Sequence, residues 1–189
     1  MTWELRPSRL WILGVILVVV VGTTARVRAG SPAASPALAS ELTSLMVDQH
    51  LDAIAAQDPE TPTRFVAALL IPKAQLLVVS AEYPSPAELQ AQLAQKNYRD
   101  VYAALHQPLA QQTRVFFVDV GCDGLRSGAD AVDVMYEKGT QQTLFDGRWK
   151  QQGLSEAAYQ KKVGDGDQQY ARLVSILIAT LKGAAGAVR

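Results

Sequence analysis

Three mainly apolar segments of the chain have the length and pattern of β-strands. Residues 65–71 and 76–79 are apolar throughout, and Pro72 begins a turn between them. Because neither run alternates with polar residues, we expect both faces of this hairpin to be covered, in the middle of a sheet with helices packed on it. Residues 114–120 form a third predicted strand with two faces, Phe116, Val118 and Val120 on one and Val115, Phe117 and Asp119 on the other.

A second, more peripheral hairpin is predicted after the Gly-rich loop of residues 121–128. In the first of its strands two sets of side chains alternate, as is typical of a half-exposed strand: Val132, Val134 and Tyr136 against Asp133, Met135 and Glu137. Lys138 and Gly139 can turn the chain into its partner, residues 142–145.

Other apolar positions recur at helical spacing. A first helix is predicted from Glu41, capped by Ser40, through Ile54, and the Pro-containing residues 58–62 end it. The sharpest helix start is at residues 85–88, where a capping Ser, a Pro and a Glu follow the order of a capping box, and a helical pattern continues to residue 105. The GDGD run at residues 164–167 is expected to break a short helix that starts after residue 155, and a last helix then extends to Gly183.

Together these elements predict a single small α+β domain. Its sheet is roughly five-stranded, mostly antiparallel and packed with helices, and an N-terminal signal helix precedes it. A chain of 189 residues fits one such domain. We expect a signal peptide at residues 1–29, a flexible linker at 30–39, the domain at 40–183 and a disordered tail at 184–189.

The first 29 residues are organised like a secretory signal. Arg6 and Arg9 precede twelve uncharged, mainly apolar residues, 10–21. This run spans about 18 Å as a helix, whereas a bilayer core is about 30 Å thick. We therefore predict an exported protein of the cell envelope, periplasmic or secreted, cut after Ala29 or Ala39. Contact with the membrane and the export machinery is expected through this segment only. An uncleaved membrane anchor is the alternative.

The charge of the chain limits the kinds of partner that it can bind, and its cysteine content limits the covalent cross-links that it can form. The chain has 18 basic and 18 acidic residues, and cleavage after Ala29 leaves 14 and 17, a net charge of −3. Phosphate binding needs a clustered positive surface, so no nucleic-acid partner is predicted. The single cysteine, Cys122, excludes an intramolecular disulfide, and the fold must depend on packing.

The strongest candidate for a ligand-binding site is at residues 119–124. Two carboxylates, Asp119 and Asp123, and the only thiol lie there at the end of a buried strand. The structural alternative is that Asp119 faces solvent and that Asp123 belongs to a tight turn. Cys122 is interpreted as a partly buried structural residue, because His50 and His106 are the only histidines and both lie in predicted helices.

No catalytic residue, metal site or cofactor is predicted. The GDGD run lacks the Gly and Glu of an EF-hand, since Tyr170 and Ile176 occupy those positions counted from Asp165. Common nucleotide, hydrolase and redox signatures are also absent from the sequence. The order of a hairpin, a helical insertion and later strands resembles the small split-barrel domains that bind flavin, although the strands carry no cluster of residues for a phosphate.

Two functions remain open from the sequence. The first is a non-enzymatic domain that binds a ligand or an envelope partner, whose identity the sequence does not specify. The second is an enzyme or a cofactor-binding domain, similar to the flavin split barrels, with its site near Asp119 and Asp123.

Overall fold

Among the residues that the structure describes, an antiparallel sheet and two helices form an α+β fold, which confirms the predicted class. The computed structural model describes residues 19–20, 35–61, 64–83, 115–137 and 141–187. Apart from Val19–Val20, the predicted signal peptide lies outside the described residues, as do the helices predicted between residues 85 and 105.

The strands of the sheet lie side by side in chain order. A two-residue strand pairs in parallel with the next strand, and the other six strands pair antiparallel, one more than predicted. The strands are β1 (Val19–Val20), β2 (Ala53–Gln57), β3 (Phe65–Ile71), β4 (Leu76–Tyr83), β5 (Val115–Val120), β6 (Val134–Glu137) and β7 (Gln141–Leu144). The predicted hairpin of β3 and β4 is present in the middle of the sheet, joined by a 3₁₀ turn at Pro72–Ala74.

Helix α1 (Ser35–Asp48) begins and ends earlier than predicted. Its buried residues recur at spacings of four, three and four, which places them on one face: Ser35, Ala39, Leu42 and Met46. At its end His50 adopts a left-handed φ of 55°, and the N–H groups of His50 and Leu51 return to the carbonyls of Val47 and Met46. This is a Schellman motif formed without glycine. The last five residues of the predicted linker therefore belong to the helix.

Strand β2 replaces the predicted end of the first helix. Its sequence, AIAAQ, is rich in alanine, which favours a helix in isolation, but the segment pairs with β3 along its whole length. Ala53 and Ala55 are buried on one face of the sheet, and Ile54 and Ala56 on the other. Tertiary pairing therefore outweighs local propensity in this segment.

Helix α2 (Glu156–Ala187) is one continuous helix, so the predicted break at residues 164–167 is wrong. Gly166 is buried where α2 approaches the sheet, and a Cβ there would lie 3.2 Å from the sulfur of Met135 and 3.3 Å from Phe145. The glycine thus permits close packing and does not end the helix. Gly183 does not end it either, since α2 continues to Ala187 and includes part of the predicted tail.

Both helices cover the same face of the sheet and pack on each other. On β5 that face carries Val115 and Phe117, whereas Phe116 and Val118 belong to the opposite face, as the alternation predicts. The opposite face is also buried. The half-exposed pattern predicted for β6 is wrong, because Val134, Met135 and Tyr136 are all buried.

Candidate functional site

Asp119 lies near the end of β5 on the face that the helices cover. Its side chain is fully buried, with 0% of its surface exposed. The hydroxyl of Tyr170, on α2, donates a hydrogen bond of 2.5 Å to Oδ2, which also accepts the N–H of Gly124 at 3.0 Å. Oδ1 accepts the N–H of Asp123 at 3.2 Å. The alternative in which Asp119 faces solvent is therefore wrong.

The turn after β5 allows Asp119 to bind the backbone of its own loop. Gly121, Cys122 and Gly124 all have positive φ, of 108°, 57° and 86°. This path turns the N–H groups of residues 123 and 124 back towards the carboxylate. A Cβ on Gly124 would lie 2.7 Å from the backbone N of Pro36, so only glycine lets the loop approach the start of α1 so closely.

Asp133 fixes the other end of this loop, which we call the β5–β6 loop (residues 121–133). The Asp133 side chain is buried, and it accepts the N–H of Val120 at 2.8 Å on Oδ1 and the N–H of Arg126 at 2.7 Å on Oδ2. The sequence pattern grouped Asp133 with Met135 and Glu137 in the alternation of a predicted strand, and no site role was predicted for it. Its partners lie seven and thirteen residues away, and no local pattern reports such contacts.

Asp119 and Asp123 are adjacent but do not point their carboxylates into a common site. Asp123 contributes its N–H to Asp119, while its own Oδ2 forms an ion pair with the guanidinium of Arg126. Its Oδ1 is buried and accepts no hydrogen bond from the described residues. The side chain of Asp123 therefore belongs to the outer layer of the loop, and that of Asp119 to the core.

The start of α1 holds the loop from a third side. Oγ of Ser35 accepts the N–H of Leu125 at 3.3 Å, and the same hydroxyl hydrogen-bonds to Asp167 on α2. Asp167 lies inside α2 and faces α1. Both helices and β5 thus contribute a side chain to the support of the β5–β6 loop.

Burial dominates the electrostatics of this cluster. Desolvation raises the pKa of Asp119 and of Asp133 above the ordinary 3.8, although the hydrogen bonds each carboxylate accepts oppose that rise. Desolvation and the nearby Asp119 charge raise the pKa of Tyr170 well above its ordinary value. Tyr170 is therefore a neutral donor at physiological pH, which matches its hydrogen bond to Asp119.

The Cys122 thiol is poorly suited to nucleophilic chemistry. It is half-buried, and desolvation followed by the charge of Asp119 raises its pKa to about 11. Since the thiolate is the reactive form, almost none is present at neutral pH. Of the two histidines, His50 is exposed at the end of α1, and His106 lies outside the described residues.

Two further observations concern metal binding and the crossing of a membrane. Within the described part of the chain, no three His, Cys, Asp or Glu side chains come together in a group that could hold a metal ion. Neither described helix combines the length and apolar content needed to cross a membrane.

Comparison with known proteins adds no assignment to this geometry. No family model, no curated protein and no solved structure matches the chain. The β5–β6 loop has a backbone that buried carboxylates fix from within, while its outer residues, 126–130 and 132, are exposed. Such an arrangement can present a fixed surface to a partner.

Proposed function

We propose that the mature chain is an exported, non-enzymatic domain that binds a ligand or protein partner of the cell envelope through the outer surface of the β5–β6 loop. One observation carries the proposal: the carboxylates of Asp119 and Asp133 are occupied by N–H groups of β5 and of the loop itself. They hold the loop in one conformation and are not free for chemistry. Binding residues are often found on loops that a rigid scaffold positions.

The exposed side of the loop has the composition of a small binding surface. Val132 is 62% exposed, and Arg126 extends into solvent beside Asp123. A loop whose backbone is already ordered loses little conformational entropy when a partner binds, which favours affinity. The exposed apolar side chain and the ion pair supply both kinds of contact that a partner needs.

We propose export from the pattern of the N-terminal residues. The buried contacts of α1 favour one of the two cleavage sites over the other. Cleavage after Ala39 would remove the buried residues Ser35 and Ala39 from α1, together with the hydrogen bond from Leu125 to Ser35. Cleavage after Ala29 would preserve α1 and would remove β1, leaving β2 at the edge of the sheet. Ala29 is therefore the better supported site.

A photoreactive residue placed at position 132 tests the binding proposal in the native host. The matched control is position 47, because Val47 is a second exposed valine, 51% exposed, at the end of α1. We expect a discrete cross-linked product from position 132 and none from position 47. Cross-linking of equal yield at both positions, or at neither, would contradict the assignment of the loop as the binding surface.

N-terminal sequencing of the protein from host fractions tests the export proposal separately. We expect an envelope fraction that begins at Gly30. A cytosolic protein with Met1 intact would refute export, and an envelope-bound protein with Met1 intact would favour the uncleaved anchor.

The alternative, an enzyme or flavin-binding domain with a site near Asp119 and Asp123, has less support. A catalytic carboxylate must reach its substrate, whereas Asp119 has no exposed surface and accepts three hydrogen bonds from its own chain. A flavin retained by the protein purified from its host, detected by its visible absorbance, would restore this alternative.

A further inference from the structure

The last strand of the sheet is closed by a side chain. Gln152 lies in the turns that follow β7, and its amide binds both backbone groups of Leu144: Oε1 accepts the Leu144 N–H at 3.1 Å, and Nε2 donates to the Leu144 carbonyl at 3.0 Å. This pair of bonds is the pattern by which a neighbouring strand pairs with an edge. The side chain of Gln152 thus takes the place of one strand residue.

The register shows that these bonds lie on the outer edge of the sheet. β7 is the last of the described strands, and β6 is its neighbour. The N–H of Phe145 donates to the carbonyl of Asp133, so Phe145 faces β6. Because the backbone groups of a strand alternate in direction, Thr143 also faces β6, whereas Gln142 and Leu144 face outwards.

The strand itself carries little protection against pairing with another chain. Natural edge strands are commonly protected by charged residues, proline or a bulge. The sequence of β7 is QQTL, without a charge or a proline, and its pairing with β6 is regular. Gln152 supplies the missing protection by occupying the groups of Leu144.

The turns after β7 hold Gln152 in place. Nε2 of Gln152 also donates to Asp146 at 3.3 Å, and the N–H groups of Gln152 and Leu154 both donate to the carbonyl of Trp149. The amide is therefore fixed beside the edge by its own backbone as well as by Leu144. This distinguishes it from a surface glutamine that meets the strand by chance.

We propose that the outer edge of β7 is a strand-pairing surface for a second copy of this chain, and that Gln152 covers it and keeps the protein monomeric. In the uncovered state two β7 strands pair antiparallel, with Leu144 of one copy bonded to Gln142 of the other. A two-fold arrangement of this kind uses the same edge on both copies, and an uncharged edge offers no repulsion against it. The proposal is independent of the function proposed for the β5–β6 loop.

Substitution of Gln152 tests the proposal in the chain as purified from its host. Gln152→Met keeps the length of the side chain and removes both hydrogen bonds to Leu144. Gln152→Ala removes the side chain altogether. The test can be read from either variant, provided that it folds. Gln151→Ala is the matched control, because Gln151 is the exposed neighbour in the same turn. Sedimentation velocity over a wide concentration range should give a dimer dissociation constant at least about tenfold lower for the Gln152 variants than for the wild type and the control.

Two measurements identify the surface. Hydrogen exchange of the Leu144 amide should become faster in the monomeric Gln152 variants, while that of Thr143 should not. Adding Gln142→Pro, which removes an outward N–H from β7, should abolish the dimer. Unchanged exchange at Leu144, variants that stay as monomeric as the wild type, or a dimer that survives Gln142→Pro would each overturn the proposal.

Discussion

The hydroxyl of Tyr170 on α2 donates a hydrogen bond of 2.5 Å to Asp119 on β5, across a sequence separation of 51 residues. The Tyr170 ring also packs edge-on against Phe117, the neighbour of Asp119 on the same face of β5, with ring centroids 5.7 Å apart. Because Asp119 binds the β5–β6 loop as well, one carboxylate connects the sheet, the long helix and the loop.

Tyr170→Phe should therefore destabilise the domain without disturbing its packing. The phenyl ring keeps the contact with Phe117, but the buried carboxylate loses a donor, at a cost of about 1.5–3 kcal/mol in the free energy of unfolding. Urea denaturation measures this loss. Tyr136→Phe is the matched control, since the Tyr136 hydroxyl accepts a hydrogen bond from the neutral amide of Gln142, and we expect a smaller loss there than at Tyr170. Equal losses at both positions would contradict the structural role of the Tyr170 bond.

Asp119→Ala should cost more than Tyr170→Phe. The substitution leaves two backbone N–H groups and the Tyr170 hydroxyl without their acceptor, so we expect a loss of at least about 3 kcal/mol in the free energy of unfolding. Asp130→Ala, at an exposed position of the same loop, should change stability by less than about 0.5 kcal/mol. An Asp119→Ala variant as stable as the wild type would mean that the carboxylate faces solvent after all.

The pH dependence of stability follows from the raised pKa values of Asp119 and Asp133. A group whose pKa is higher in the folded than in the unfolded state contributes stability below the unfolded pKa, and this contribution is lost as the pH rises through the folded pKa. The wild type should therefore lose stability, in thermal or urea denaturation, as the pH rises from the ordinary value of 3.8 through the folded pKa values of the two carboxylates. Asp119→Asn should reduce this loss, and Asp130→Asn should not. Stability that falls on acidification over this range, equally in all three proteins, would indicate that neither pKa is raised.

The two faces of β5 could be predicted from the sequence because alternation in a strand is a local property. That alternation already placed Asp119 with Val115 and Phe117 on the face now found to be buried. The solvent-facing alternative gave more weight to the charge of the side chain than to its position. In this strand the position of the residue predicted its burial correctly. A carboxylate that shares one strand face with core residues was the sign, in the sequence, of a buried side chain that binds the loop.

Other features depend on contacts that no local pattern contains. Asp133 binds residues on the far side of a loop, and β2 is a strand only because β3 pairs with it. The pairing of Gln152 with Leu144 depends on the path of the turns between them. These features depend on tertiary structure, and sequence periodicity does not report them.

Cys122 should react slowly with thiol reagents in the native protein. Its pKa of about 11, against 9.0 for an unperturbed thiol, lowers the thiolate fraction at pH 8 about a hundredfold. We expect the rate of reaction with a disulfide reagent to fall by at least that factor relative to the protein unfolded in urea. A native rate close to the unfolded rate would show an accessible and ionised thiol, and would reopen the case for Cys122 as a functional residue.

Two glycines of α2, only two residues apart, should respond differently to alanine. Nothing lies within 4 Å of a Cβ placed on Gly164, so Gly164→Ala should stabilise the helix by about 0.5–1 kcal/mol, the ordinary gain in helix propensity. At Gly166 the same gain is opposed by contacts of 3.2 Å to Met135 and 3.3 Å to Phe145. We expect Gly166→Ala to be less stable than Gly164→Ala by at least about 1 kcal/mol in urea denaturation, because α2 must move away from the sheet. Two variants of equal stability would show that α2 does not pack closely on the sheet at Gly166.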